Sequence, residues 1–267
     1  MDNVRMRTPS LPASPWLRPI VGPAAAGQLI LLPHAGGSAH AYRDWAAILP
    51  DGFALAAVEY PGNGSRIGEQ PIDDPAAMVA GLAGLLTEIQ DRLDGRLLIV
   101  GGHSLGALLA HEVAAVLQAA GRPVDGLLLS GSVPAHQRRL VPDLSVLSDD
   151  ALAATLGADG DIPTEILDDA EARAFYLPLV RQGLAFARRT AEVVAAGSAG
   201  REPVHAPAVV LGGAADLRCP ASALGSWADV VDGPLEVALL PGGHFFYRGQ
   251  LGEIGRLLTG LAGRAGG

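Results

Sequence analysis

The residues best suited to chemistry form one pentapeptide, Gly102-His103-Ser104-Leu105-Gly106. It follows the apolar run Leu97–Val100 and precedes a stretch of helical character from Leu105 to about Gln118. Between a strand and a helix, G-x-S-x-G is typical of a sharp turn that exposes a nucleophilic serine, because the glycines let the backbone turn. The alternative is an ordinary turn in which His103 and Ser104 only cap the helix. The flanking elements favour the nucleophile.

His244 is the predicted base that activates the Ser104 hydroxyl. A serine nucleophile needs a base and an acid that orients the base, and with this turn the chain order is serine, acid, histidine. Of the seven histidines, only His244 follows a late strand, in the loop Pro241–Phe246, where two glycines allow a tight turn. The other six precede Ser104, lie in the helix behind it or border the middle of the chain: His34, His40, His103, His111, His136 and His205.

The acid expected to orient His244 is Asp216, just past the apolar strand that ends at Leu211. Its carboxylate accepts a hydrogen bond from one ring nitrogen in this interpretation, which fixes the tautomer and stabilises the imidazolium. A plain turn aspartate is the competing interpretation, since Asp is common in such loops. Asp229 and Asp232 are rivals, although they lie within or after the next predicted helix.

Two backbone N–H groups are predicted to stabilise the oxyanion of an acyl-transfer reaction. One belongs to Leu105, directly after the nucleophile, and the other to Ala35 in the loop Pro33–Ser38. That loop is otherwise a glycine-rich turn, and without a G-x-G-x-x-G or GKS/T sequence it is a poor phosphate loop. No pair of His or acidic residues has the spacing of metal ligands, so we expect no metal and no other cofactor.

Strands alternating with helices must position these residues. Six short apolar runs are nearly continuous in apolar residues, which indicates strands covered on both faces. The runs are Gln28–Leu32, Ala54–Glu59, Leu97–Val100, Gly126–Leu129, Ala208–Leu211 and Leu235–Leu240. The clearest helix begins at Asp73 and Asp74 with Pro75 as its first residue, and the last runs from Gln250 to about Leu261. This order predicts an α/β fold with a doubly wound, mostly parallel sheet.

Almost eighty residues between Leu129 and Ala208 interrupt that order. Three helical stretches are predicted there, and Pro178 is expected to kink the longest of them. They are Ser148–Leu156, Pro163–Leu167 and Asp168–Val194. Because the interval is too long for one crossover, we expect an inserted helical subdomain at about 135–200 within a single domain spanning 1–267.

Composition excludes several classes of protein. The 267 residues suffice for one large domain, and 49% apolar residues exclude a mainly disordered chain. A net charge of −9 argues against nucleic acid as the main partner. The single cysteine, Cys219, excludes an internal disulfide and a cysteine-built zinc site. With no apolar run of 18 residues and no signal-like segment in Met1–Gly27, we expect a cytoplasmic protein without a membrane partner.

With these residues placed, the chain resembles the type II thioesterases of polyketide and nonribosomal peptide assembly lines, which are stand-alone α/β-hydrolases. The motifs that carry the resemblance are Ser14–Arg18, Pro33–Gly37, Tyr42, Trp45, Tyr60–Gly62, Gly102–Ala107, Leu177–Leu179 and Gly242–Phe246. The resemblance covers nearly the whole chain and implies an α/β-hydrolase fold whose inserted helices form a lid. It implies Ser104, Asp216 and His244 as the catalytic triad, and Ala35 and Leu105 as the oxyanion donors.

The resemblance also implies a reaction and a partner. The reaction is hydrolysis of acyl or aminoacyl thioesters on the phosphopantetheine arms of acyl or peptidyl carrier domains, which removes stalled or wrong units during antibiotic biosynthesis. We expect a monomer. Carrier domains of this kind are acidic and so is this chain, so any attraction between them must be local. The pairs Arg138-Arg139 and Arg188-Arg189 are candidates for guiding the carrier, with a solvated helix face as the alternative.

Two other functions stay open at this point. The same fold and residues suit a carboxylesterase, a lipase or an amidase, and matched oxygen esters and thioesters separate these from a thioesterase. A non-catalytic, ligand-binding receptor on the same scaffold is a different class, because a fold alone does not fix function. Labelling of Ser104 by a fluorophosphonate separates a catalyst from such a receptor.

Overall fold

The computed structural model describes residues 11–158, 160, 162, 164–198 and 200–267. Its strands are β1 Leu17–Val21, β2 Gly27–Leu32, β3 Phe53–Val58, β4 Leu97–His103, β5 Gly126–Ser130, β6 Ala208–Gly213 and β7 Leu235–Leu240. Its α-helices are α1 Pro75–Leu93, α2 Leu105–Ala119, α3 Asp149–Ala158, α4 Thr164–Asp168, α5 Ala170–Gly197 and α6 Leu251–Ala265. The strands form one sheet in the order β1-β3-β2-β4-β5-β6-β7. Among the strands of the described residues, only β1 pairs antiparallel, with β3, and this confirms the predicted mostly parallel α/β fold.

The edge strand β1 is the element that the apolar pattern missed, whereas all six predicted runs are strands. Its five residues include Arg18 and Pro19, so they form no apolar run. Pro19 lacks an N–H group, and a strand that pairs with β3 alone tolerates that loss. Short polar edge strands therefore escape a search for buried runs.

Alternate residues of the central strands pack into two cores on opposite faces of the sheet. Ile30 and Val100 belong to the core that α1 and α2 cover. Leu29 and Ile99, one position earlier on the same strands, belong to the core that α6 covers. The central strands are thus covered on both sides, which explains why their sequences are continuously apolar.

Helix α1 begins where the sequence predicts. Asp74 is its N-cap, and the carboxylate accepts a hydrogen bond from the N–H of Ala76 at 3.0 Å. Pro75 occupies the first helical position, where its missing N–H costs nothing. The helix buries Leu82 and Ile89 and so adds an apolar face to the core that it shares with α2.

The region between β5 and β6 is helical, with α3, α4 and α5 in the order predicted. Pro163, the first residue of the second predicted helix, lies outside the described residues, as do Met1–Ser10. Helix α5 continues through Pro178, the predicted kink position. Phe186 of α5 packs into the main core, whereas Leu177 packs into a smaller core with α3. Among the described residues, no helix is long and apolar enough to cross a membrane.

Candidate active site

Ser104 lies in the turn between β4 and α2, at the carboxyl edge of the sheet. Its backbone has φ 56° and ψ −115°, a positive φ that residues with side chains rarely adopt. Its N–H donates to the carbonyl oxygen of Ser130 at 2.7 Å, which holds the turn against β5. A Cβ at Gly102 would lie 2.5 Å from the carbonyl oxygen of Leu32, and a Cβ at Gly106 would lie 1.9 Å from the same atom. The strained turn therefore needs both glycines of the G-x-S-x-G pattern.

His103 is buried beneath this turn. Its Nδ1 lies 3.0 Å from the hydroxyl oxygen of Ser130. Its ring centroid lies 4.7 Å from that of His244 and 4.9 Å from that of Tyr247. Burial, and then the proximity of His244, lower the pKa of His103 well below its ordinary value. His103 is therefore neutral at neutral pH and packs against the ring of His244.

Asp216 and His244 form a buried pair, with their side chains 0% and 3% exposed. Oδ2 of Asp216 lies 2.8 Å from Nδ1 of His244, so the ring nitrogen donates to the carboxylate. Oδ1 accepts from the N–H groups of Arg218 at 2.8 Å and Cys219 at 3.0 Å. Both carboxylate oxygens are thus held in place. With Nδ1 engaged, Nε2 is the nitrogen of His244 that can exchange a proton with a substrate.

The loops after β6 and β7 hold this acid–histidine pair together. The two strands are parallel neighbours, so both loops leave the same edge of the sheet. The N–H of Ala215 donates to the carbonyl oxygen of Gly242 at 2.9 Å. A Cβ at Gly213 would lie 2.3 Å from the carbonyl oxygen of Gly243, so the close approach of the loops requires glycine there.

The rival carboxylates bind other histidines. Asp229 lies 3.0 Å from Nε2 of His136, and both side chains are partly exposed. Asp232 lies 3.0 Å from Nδ1 of His205, again near the surface. The structure thus brings Asp216, and neither of the two rivals, into contact with His244.

The two predicted oxyanion donors belong to adjacent segments. Leu105 is the first residue of α2, where N–H groups have no acceptor within the helix. Ala35 is buried in the loop after β2. That loop lies against the start of α2, because a Cβ at Gly106 would come within 2.8 Å of the carbonyl oxygen of Pro33. The hydroxyl of Tyr60 donates to the same carbonyl at 3.1 Å and so steadies the loop.

Ser104 and His244 line one pocket, with a cavity volume of about 70 Å³. Helix α2 and the segments that follow β5 and β6 contribute to its wall, as does α5. The apolar part of the wall includes Leu105, Leu108, Val133, Val141, Leu144 and Leu184. Among the described residues, its charged side chains are Arg138, Asp143 and Arg218. The wall of this pocket therefore combines apolar and charged side chains.

The four arginines considered for carrier docking have different surroundings. Arg188 forms an ion pair with Asp143, and Arg189 forms one with Asp73 at 3.1 Å. Arg138 is half-buried and lines the pocket, whereas the arginine after it in sequence is exposed. The pairs therefore do not form a uniform row of exposed positive charge.

Sequence reasoning missed the backbone groups that hold the site. The amides of Arg218 and Cys219 bind Asp216, and an aspartate that accepts from the N–H two residues later is a common turn, so the sequence carried a signal for it. By contrast, no sequence pattern indicates the hydrogen bond that the carbonyl oxygen of Ser130 accepts from Ser104. This hydrogen bond depends on the register of β4 with β5, which pairs His103 with Ser130.

Comparison with known proteins adds a family match over most of the chain. Residues 27–259 match the family model described as Thioesterase domain. The chain is 32% identical over 222 residues to the AMB antimetabolite synthetase AmbE of Pseudomonas aeruginosa. This alignment covers 81% of the chain but only 10% of AmbE. It is 28% identical to the gramicidin S biosynthesis protein GrsT of Aneurinibacillus migulanus, over 85% of each protein.

A solved structure agrees with this match. The type II thioesterase BorB from the borrelidin biosynthetic cluster superposes with a TM-score of 0.75 at 30% identity. The superposition covers 92% of this chain and 97% of BorB. The expected α/β-hydrolase fold is thereby confirmed.

Proposed function

The chain belongs to the thioesterase family, and from that premise we propose that it removes acyl or aminoacyl groups from the phosphopantetheine arms of carrier domains in a modular synthase. A protein of this family is a hydrolase that acts on thioesters. The similarity to type II thioesterases of biosynthetic clusters supports the carrier-bound substrate and an editing role that clears stalled or wrong units. The observation that carries the proposal is the buried Asp216–His244 pair, which shares a pocket with Ser104.

In the first half of the reaction, Oγ of Ser104 attacks the thioester carbonyl carbon while Nε2 of His244 takes the hydroxyl proton. Asp216 accepts a hydrogen bond from Nδ1, which keeps the ring in the required tautomer and stabilises the imidazolium. The carbonyl oxygen gains negative charge, and the N–H groups of Leu105 and Ala35 donate to it.

The tetrahedral intermediate then collapses as its C–S bond breaks. His244 returns the proton to the departing sulfur, and the acyl group stays on Ser104 as an ester. A thiol leaves readily because its pKa lies several units below that of an alcohol. A water molecule next attacks the ester carbonyl carbon while His244 takes its proton. The C–O bond to Ser104 then breaks and His244 returns the proton to Oγ, which releases the carboxylic acid and regenerates the Ser104 hydroxyl.

The helices at about 135–200 serve as the lid of a single domain in this proposal. Val141, Leu184 and Ala187 line the pocket that contains Ser104, so the inserted region supplies part of its wall. A covered cleft admits a thin pantetheine arm and restricts bulk water near the acyl-enzyme. The arm then enters from a carrier domain that stays outside the lid.

Matched substrates test the proposal. The purified protein is assayed with two substrates that contain the same acyl group. In one the group is a thioester on a carrier domain, and in the other it is an oxygen ester of a simple alcohol. The kcat/KM is expected to be higher for the thioester, and Ser104→Ala is expected to abolish turnover of both. A preference for the oxygen ester would indicate a carboxylesterase. Failure of a fluorophosphonate to label Ser104 would indicate a binding protein.

A further inference from the structure

Two arginine side chains line the same pocket as Ser104 and His244. Arg138 lies in a short 3-10 helix, Ala135–Leu140, that follows β5. Arg218 lies in the loop after β6, two residues beyond the carboxylate of the acid–histidine pair. The Arg218 side chain is buried and that of Arg138 is half-buried. Positive charge thus enters the pocket from two separate segments.

In the part of the chain that the structure describes, no carboxylate forms an ion pair with Arg138. Asp143, which lines the same pocket, forms an ion pair with the guanidinium of Arg188, and Arg188 also pairs with Glu192 at 2.8 Å. Arg138 donates to the neutral carbonyl oxygen of Val141 at 2.9 Å. Burial lowers the pKa of Arg138 and the charge of Arg188 lowers it further, while Glu192 acts in the opposite sense. Both effects disfavour the charged guanidinium, and an anionic partner for Arg138 would stabilise that charge.

We propose that Arg138 binds an oxyanion on the substrate, and that the preferred thioesters therefore carry a negatively charged group in the pocket of the reacting carbonyl. This inference rests on the function proposed above and names its substrate class. A guanidinium presents a planar pair of N–H donors that matches the two oxygens of a carboxylate or phosphate. Inside a narrow pocket such a contact is stronger than in open water.

The anion has two conceivable sources, a carboxylate at the far end of the acyl group or the phosphate of the pantetheine arm. Ser104 and Arg138 line the same pocket, so a group bound at Arg138 occupies the pocket in which the thioester reacts. The phosphate is separated from the thioester sulfur by the whole length of the pantetheine arm. The geometry therefore favours a short dicarboxylic acyl group, linked as a thioester at one end and free at the other.

Phosphate-free substrates test the acyl carboxylate directly. Glutaryl and glutaramyl thioesters of N-acetylcysteamine have the same shape, but only the first carries a terminal charge. The ratio of kcat/KM, glutaryl over glutaramyl, is expected to fall roughly ten- to a hundredfold in Arg138→Gln, because a charge-assisted hydrogen bond is lost. Arg138→Lys keeps the charge but loses the planar fork, so a smaller fall is expected. Arg139→Gln, at the exposed neighbouring position, is the matched control and should leave the ratio unchanged.

A second substrate pair separates the two sources of the anion. Glutaramyl thioesters of phosphopantetheine and of pantetheine differ only in the phosphate, and their ratio is expected to be unaffected by Arg138→Gln. A fall in this ratio with no change in the glutaryl preference would overturn the assignment to the acyl group. An equal loss on all four substrates would overturn the inference entirely. By contrast, a wild-type protein that hydrolyses none of the four thioesters would contradict the proposed function itself.

Discussion

Gly183 of α5 lies directly against Gly36 in the loop that follows β2. A Cβ added at Gly183 would approach the backbone nitrogen of Gly36 to 2.8 Å and the carbonyl carbon of Ala35 to 3.1 Å. The atoms in the way are backbone, so they cannot rotate aside as a flexible side chain would. The helical region is thus in contact with the loop that carries one proposed oxyanion donor, and the position of α5 and that of the donor are coupled.

The first prediction concerns this coupling. Gly183→Val is expected to lower kcat on a small activated thioester by up to about 100-fold, because a displacement near 1 Å of a catalytic group costs that much. Stopped assays on the purified variant measure the loss, and its melting temperature shows whether the fold survives. Gly197→Ala, in the same helix, is the control, since a Cβ there meets nothing within 4 Å. An unchanged kcat in a folded Gly183→Val protein would show that the contact carries no catalytic constraint.

The second prediction concerns the acid. Asp216→Asn is expected to lower kcat on the order of 10⁴-fold, as the equivalent change does in the serine-protease triad, because the amide favours the wrong histidine tautomer. Asp229→Asn and Asp232→Asn are matched controls, since these carboxylates lie beside His136 and His205. Steady-state kinetics on one thioester compare all three variants. Near-normal activity in Asp216→Asn with a loss in either control would reassign the acid.

The third prediction concerns pH and the free energy of unfolding. His103 is neutral when buried because its pKa is well below the ordinary value, whereas in the unfolded chain it titrates at about 6.5. Below that pH the unfolded state binds the extra proton, so this contribution to stability is present above about pH 6.5 and is lost as the pH falls towards the lower native pKa. The slope from this one group reaches at most about 1.4 kcal/mol per pH unit.

Denaturant unfolding of wild type and His103→Asn at several pH values measures that contribution. The variant is expected to show a shallower loss of stability between about pH 6.5 and pH 5, whatever its absolute stability. His40→Asn, at an exposed position, is the control and should keep the wild-type slope. The same slope in wild type and His103→Asn would mean that His103 does not carry this pH dependence.

The fourth prediction concerns Cys219, the single cysteine of the chain. Burial, and then the charge of Asp216, raise the pKa of its thiol to about 12. At about pH 8.5 only about 10⁻⁴ to 10⁻³ of the thiol is ionised, and the ionised form is the one that reacts. Iodoacetamide is therefore expected to leave the folded protein unmodified and to add one group in denaturant, as read by intact mass. Rapid modification of the folded protein would contradict the burial of this thiol.

Much of the sheet could be predicted because its central strands are covered on both faces. Continuous apolar runs such as Gln28–Leu32 and Ala208–Leu211 leave a clear signal, and glycine or proline marks where each run ends. Strand β1 has no such apolar run, because Arg18 and Pro19 lie within it and only one of its edges is paired. The observed ends of the helices differ from the predicted ends by one to a few residues, because helix ends fray.

The site could be predicted only in part. Chain order and the strand–turn–helix context pointed to Ser104, Asp216 and His244, and the structure brings the last two into contact. The pocket wall could not be predicted in this way. Whether Arg138 faces solvent or Ser104 depends on how the inserted helices pack over the sheet, and no local pattern in the sequence fixes that packing.

The mass of the protein during turnover tests most directly whether Ser104 is the nucleophile. Wild-type protein is mixed with an excess of an acyl thioester, quenched in acid within one turnover and digested for mass spectrometry. An acyl group is expected on the peptide that contains Ser104, with neither acylation nor hydrolysis in Ser104→Ala. Acylation at another residue, or thioester hydrolysis that persists in Ser104→Ala, would contradict this role of Ser104.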